Sequence, residues 1–220
     1  MKSFLTTIFF CLFLFVAYAQ EDNLPSSDIK GRFSLGVRST QSLFGSSGYP
    51  GMGFGGQFKI RLSKRLNTEW FADHIKTDLG GLGHRETAHI GWSVIFYPFS
   101  YEIKKGAFLP FLLAGHCFDF AKINGYQHIG NAEISTKFDN KRWTSAVQIG
   151  VGTSYHLSER FDLSFSAQYM SHLGNDLHIE KVEPEDHEVG NYLLSDDDHD
   201  QLTMEGHLLL TLSLNYILIR

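Results

Sequence analysis

The sequence predicts an all-β protein, an eight-stranded antiparallel transmembrane up-and-down β-barrel. Three observations lead there. Eight consecutive stretches alternate apolar and polar residues, they follow a segment patterned as a secretory signal, and the connections between them alternate short and long. Period-2 alternation describes a sheet with one wet face and one greasy face. In lipid, every backbone polar group must be paired within the protein, so such a sheet has to close on itself.

The amino terminus sets the compartment. Met1-Lys2 supplies a positive start, Phe4 to Val16 is almost unbroken apolar sequence, and Ala17-Tyr18-Ala19 gives the small-x-small pattern of a cleavage site. Residues 1–19 are therefore expected to be a cleaved signal peptide, residues 20–28 a periplasmic segment, and residues 29–220 the barrel. The alternative is a retained anchor. The apolar run is short for a helical span, which needs about 20 apolar residues, and Glu21, Asp22 and Asn23 end it abruptly. Cys11 leaves with the signal. Cys117 is then alone, which excludes an intramolecular disulfide and any cysteine-spaced metal motif.

About 200 mature residues fit one domain. The net charge of -5 and the dispersed basic residues leave no footprint for nucleic acid.

The strands follow in order. The first, about Gly31 to Arg38, sets Phe33, Leu35 and Val37 against Arg32, Ser34, Gly36 and Arg38. The second, about Gly53 to Leu62, sets Phe54, Phe58, Ile60 and Leu62 against Gln57, Lys59 and Arg61. The third, about Asn67 to Lys76, is mixed: Trp70 and Ala72 oppose Glu69 and Asp73, while Phe71 and Ile75 share the polar side. The fourth, about Thr87 to Tyr97, sets Ala88, Ile90, Trp92, Val94 and Phe96 against His89, Gly91 and Ser93. The fifth, Leu109 to Phe120, is apolar on both sides over Phe111 to Ala114, so its facing stays open. The sixth, about Ser145 to Tyr155, places Val147, Ile149, Val151 and Tyr155 against Gln148, Gly150, Gly152 and Ser154. The seventh, Phe161 to Tyr169, sets Phe161, Leu163, Phe165, Ala167 and Tyr169 against Asp162, Ser164, Ser166 and Gln168. The eighth, about Gly206 to Leu218, sets the even-numbered leucines and Tyr216 against His207, Thr211, Ser213 and Asn215.

Short turns at Ser63–Leu66 and Ser158–Arg160 and a medium one at Phe99–Gly106 follow strands two, six and four. Longer loops are expected after strands one, three, five and seven, the longest over Leu173–Glu205. That alternation matches periplasmic turns at one end and extracellular loops at the other, and an even strand number puts both termini in the periplasm. The soluble rival is a lipocalin-like ligand-binding barrel with its greasy face inward. Its interior would have to hold Trp and many Phe and Leu, more volume than a small barrel accepts. With the greasy face outward, Trp70, Trp92, Tyr97, Tyr155, Tyr169 and Tyr216 are available for interface girdles.

The glycine-bearing Leu112-Leu113-Ala114-Gly115 after Pro110, the stretch Gln148-Ile149-Gly150-Val151-Gly152, and Leu157-Ser158-Glu159-Arg160-Phe161-Asp162-Leu163 joining two strands carry a family likeness. The chain resembles the small outer-membrane β-barrel proteins, the group of the OmpA membrane domain and the OmpX-like barrels. The resemblance covers nearly the whole mature chain. It implies residence in a Gram-negative-type outer membrane, with outer-membrane lipid and lipopolysaccharide as neighbours. Such barrels often end in an aromatic residue; this chain ends Ile217-Leu218-Ile219-Arg220, with Tyr216 nearby.

Candidate chemistry is sparse. Arg32, Lys59 and Arg61, with Glu69, Asp73, Asp162 and Glu205, are expected inside a barrel whose interior is just filled by side chains. Buried charges must pair, so a salt-bridged lumen is expected rather than a pore or proton path. Ser171-His172-Leu173-Gly174-Asn175 is similar to the His-x-Ser-Asn motif of the lipid A deacylase barrels. His172 and Asn175 match it, but Gly174 stands where the nucleophile should be, so His172 has no hydroxyl to activate. Ser171 would point to the opposite face of the strand. The acidic stretch within Leu173–Glu205 carries His178, His187 and His199 and ends Ser195-Asp196-Asp197-Asp198-His199-Asp200. Carboxylates suit calcium, but the spacing is not that of an EF-hand, and a solvated loop open to a protein partner is the expectation. His89, His116, His156 and His207 are scattered singly and form no ligand set on sequence grounds. No catalytic residue, cofactor or metal site is assigned. The expected role is non-enzymatic: a structural, adhesive or complex-forming surface protein, with a deacylase-like enzyme as the alternative.

Overall fold

A computed structural model describes residues 31–44, 50–78, 83–99, 105–128, 135–173, 178–182, 191–195 and 206–218. Among the described residues ten strands follow in chain order. They are β1 (Phe33–Phe44), β2 (Pro50–Arg61), β3 (Leu66–Asp78), β4 (Gly83–Phe96), β5 (Phe108–His128), β6 (Ser135–His156), β7 (Phe161–Leu173), β8 (His178–Val182), β9 (Asn191–Ser195) and β10 (Gly206–Leu218). Eight of them, β1 to β7 and β10, form a closed barrel in which each pairs antiparallel with its sequence neighbour, and β1 closes onto β10. Closure leaves no edge strand, which is what lipid demands of a sheet. Phe33 pairs with Leu218, so the first and last barrel strands begin and end at the same mouth.

The facing read from alternation holds in every barrel strand. On β1, Ser34, Arg38, Thr40 and Ser42 are buried while Leu35 and Val37 are exposed. On β3, Phe71 and Ile75 do point inward beside Glu69 and Asp73. The open question on β5 resolves: Leu109, Phe111, Leu113 and Cys117 face in, and Leu112 and Phe118 face out. The outer face carries Phe54 (72% exposed), Trp70, Ile90, Trp92, Ile149, Phe165, Tyr169 and Leu212. Tyr97 is a correction: it is buried, not a girdle residue, and its ring meets Phe111 edge-on at 5.8 Å.

Several elements depart from what the sequence predicts. β5 runs far past Phe120 and β6 starts well before Ser145, so they form a long hairpin arm at the mouth opposite the start of β1 and the end of β10. The connections after β1, β3 and β5 shrink accordingly to residues 45–49, 79–82 and 129–134, because strand pairing takes up most of the expected loops. The loop after β7 is not wholly irregular either. β8 and β9 pair antiparallel within it, and β9 runs beside β5. At the turn mouth, Gly106 adopts φ +83° and closes the connection into β5 by donating its N–H to the His156 carbonyl at 2.8 Å. Residues 1–30, which hold the expected signal peptide and periplasmic segment, lie outside the described residues, as do Gly174, Asn175, Glu205 and the run Asp196–Asp200.

Candidate functional site

The inward face is mostly polar, and its side chains meet in three levels. At the level of the turns, Arg32, Lys59, Arg61, Asn67, Tyr97, His156 and Asp162 border a cavity of about 40 Å³, room for a water or two. Arg61 donates to the carbonyls of Ser63 and Lys64, at 3.3 and 3.4 Å, which pins the β2–β3 turn. Asn67 Nδ2 donates to the Tyr97 hydroxyl at 3.4 Å.

The middle level is an ion network. Arg38 Nη1 stands 3.3 Å from Glu69 Oε1, and its Nε stands 3.0 Å from Asp73 Oδ1. Lys59 Nζ lies 3.6 Å from Glu69 Oε2 and donates to Ser164 Oγ at 3.1 Å. The Arg38 guanidinium also caps the Phe71 ring at 4.4 Å, a cation–π contact. Thr40 donates to Asp73 at 3.2 Å. Gln57 donates to Asn215 at 2.6 Å, and Asn215 donates to Asp162 at 2.8 Å. The sequence predicts pairing by Arg32, Lys59 and Arg61. Lys59 does join this network, but its central cation is Arg38. The omission of Arg38 from the expected lumen charges is a correction with a simple cause. Alternation says that Arg38 faces in, but not that it reaches two carboxylates on β3. Glycine makes the room: a Cβ on inward Gly55 would collide with the Asp73 carboxylate, and one on Gly36 with the Asn215 side chain.

The outer level gathers histidines that the sequence shows as scattered. His89 from β4, His172 from β7 and His207 from β10 surround Asp119 of β5, and all four are buried. His172 Nδ1 lies 3.2 Å from Asp119 Oδ2, and His89 Nε2 lies 3.5 Å from Asp119 Oδ1. His172 Nε2 and His207 Nδ1 are 3.3 Å apart, and the rings of His89 and His207 stack at 5.9 Å. Cys117 donates to Asp119 Oδ1 at 3.4 Å and touches Met170 Sδ at 3.6 Å. An apolar cluster of Phe71, Ile75, Cys117, Ala146, Met170 and Leu209 packs around them. Among the described residues, no group of three or more His, Cys, Asp or Glu side chains already stands in the arrangement of a metal centre.

The remaining histidines separate. His116 sits on the outward side with its ring nitrogen 2.6 Å from Ser145 Oγ, and His156 is buried at the turn level. The deacylase-like pair divides as well. The His172 imidazole is 2% exposed inside the barrel, whereas Ser171 lies on the opposite side of the strand, so the histidine is turned away from any lipid around the barrel.

No family profile and no curated protein matches the chain. Solved structures do. Neisserial surface protein A (NspA) aligns with a TM-score of 0.54 at 14% identity, covering 84% of this chain and 96% of that one. A major outer membrane protein from Thermus thermophilus aligns at 0.52 and 14% identity, covering 84% and 99%. Ail, the attachment invasion locus protein of Yersinia pestis, aligns at 0.50 and 13% identity, covering 86% and 100%. At these identities the likeness is one of fold. A closed eight-stranded antiparallel barrel, greasy outside and polar within, gives the chain the architecture of the small outer-membrane β-barrel proteins.

Proposed function

We propose that this protein is an integral outer-membrane barrel with a lumen closed by paired charges, acting without catalysis as a structural, adhesive or complex-forming surface protein. The observation that carries the reading is the Arg38–Glu69–Asp73–Lys59 network, which joins the neighbouring strands β1, β2 and β3 and reaches β7 through the hydrogen bond from Lys59 to Ser164. An eight-stranded barrel has an interior just wide enough for its side chains, so a network at mid-height leaves no continuous water path. The termini face the periplasm; what supports this is that β1 starts and β10 ends at the mouth with the short turns. Outer-membrane lipid and lipopolysaccharide surround the exposed apolar face, and a protein partner docks on the opposite mouth through residues 173–205. Nothing in the basic residues suits nucleic acid. The enzymatic alternative finds no support in the buried, inward His172.

Two measurements test this. Purified, detergent-folded protein placed in planar bilayers should give no stepwise ion conductance. Steady single-channel steps would overturn the closed lumen. Replacing residues 174–205 with a short turn should leave the barrel folded, shown by heat-modifiable gel mobility, and abolish surface association in a cell-binding assay. Association unchanged by that replacement would remove the loop from the function.

A further inference from the structure

We infer that the outer level of the lumen is a binding site for one transition-metal cation of the zinc class, held by the imidazoles of His89, His172 and His207. Four observations meet here. The first is spacing: His172 Nε2 and His207 Nδ1 stand 3.3 Å apart. Two nitrogens bound at about 2.0–2.1 Å to one tetrahedral ion are separated by about 3.3–3.4 Å, so this pair is placed as two ligands of a single ion would be. The second is the carboxylate behind the ring. Asp119 Oδ2 lies 3.2 Å from His172 Nδ1, which also meets Thr144 Oγ1 at 3.3 Å; a carboxylate so placed favours the N–H on Nδ1 and so makes Nε2 the ligating nitrogen. The same carboxylate reaches His89, with Oδ1 3.5 Å from Nε2.

The third is His89 itself. It is 1% exposed, and neither of its ring nitrogens has a hydrogen-bond partner. A buried polar group left in that condition is costly, and a bound ion at Nδ1 would remove the cost. The fourth is the donor chemistry. Three neutral imidazoles with one carboxylate and an adjacent thiol and thioether select zinc, cobalt, nickel or copper over magnesium and calcium. Two buried cations stand near the cluster. Arg38 is paired with Glu69 and Asp73, and Arg85 is the other cation at this level. Three donors do not yet share one centre, so binding requires the His89 ring to turn toward His207. A chain without metal has another use for the same contact: one of His172 and His207 simply donates to the other. The test separates the two. The inference is independent of whether the outer loop engages a partner.

The full mature chain, folded in detergent and shown to be folded by its heat-modifiable mobility, is titrated with Co²⁺ and then with Zn²⁺. One Co²⁺ per barrel is expected, with the visible absorption of tetrahedral cobalt, displaced by an equivalent of Zn²⁺. His172→Gln and His207→Gln should each weaken Co²⁺ binding at least tenfold, and Asp119→Asn about 10–100-fold. Replacing His178, His187 and His199 of the acidic loop together by Gln should leave binding unchanged. The wild-type chain loaded with Cu²⁺ supplies a readout that needs no variant: electron spin-echo spectroscopy should count at least two imidazole ligands. A folded wild-type chain that takes up no Co²⁺, fewer than two imidazoles on copper, or binding that survives in the His172→Gln/His207→Gln double variant would each overturn the site.

Discussion

Arg38 is the residue on which the lumen network turns. It contacts Glu69, Asp73, Gln57, Thr211 and the Phe71 ring from the middle of β1. Arg38→Ala would leave Asp73 buried without its cation and Glu69 with Lys59 alone. Such a loss is expected to cost on the order of 3–5 kcal/mol, less where lumen water reaches the carboxylates. Lys59→Ala should cost less, since Glu69 keeps Arg38. Urea titrations in lipid vesicles order the two, and equal losses would show that the pairs act independently. A second residue-scale expectation concerns space. Gly91 faces inward, and a Cβ there would run into Cys117 and the Phe71 ring. Gly91→Leu should therefore destabilise by about 1–3 kcal/mol through overpacking, measured in the same titration. The inward or outward side of each of these residues was legible in the sequence, because it follows from parity along a strand. Their partners were not. Arg38 meets carboxylates two strands away, and His89, His172 and His207 come from three different strands. Contact across a lumen depends on the height each residue reaches, which shear between strands decides.

At the scale of the element, β5 explains both what alternation reveals and where it stops. Through the lipid-level part of the strand, Leu112 and Phe118 face outward. Beyond Phe120 the outer face turns polar: Ala121 and Ile123 stay buried inside like Leu113 and Cys117, while Lys122 turns outward to pair with Asp139 at 3.7 Å. Once a strand leaves the hydrocarbon, water replaces lipid on its outer face, and polar residues can stand there. A reading that follows greasy residues therefore ends the strand at the point where the lipid ends. β8 and β9 escape the same reading because each is only five residues long within an acidic stretch. Tolerance to charge should follow the outer face. Phe58→Arg and Leu212→Arg should each cost about 2–4 kcal/mol near the bilayer midplane, whereas Phe58→Ala and Leu212→Ala cost less, having no closed cavity to leave. Lys122→Leu should change stability by no more than about 0.5–1 kcal/mol, since an exposed ion pair contributes little. Unfolding in vesicles compares all of these. A harmless Phe58→Arg would place that face away from lipid.

At the scale of the molecule, the polar and apolar residues divide inside from outside. The division that water imposes on soluble barrels is inverted here. Leu35, Val37, Phe54, Trp92, Ile149 and Leu212 point outward, while charges, amides and histidines fill the lumen between two small apolar clusters. The fold class, the number of barrel strands and the polarity of the two faces could all be read from alternation, because one face of each strand answers to a single solvent. All three tryptophans, Trp70, Trp92 and Trp143, lie on the outer face, at 46%, 41% and 65% exposure. They report directly on what surrounds the barrel. Single-tryptophan variants folded into vesicles of brominated lipid make the test. The inverted barrel predicts that Trp70 and Trp92 fluorescence is strongly quenched by the bromine and barely touched by aqueous iodide. Quenching by iodide with no response to brominated lipid, from a protein that stays soluble without detergent, would contradict it.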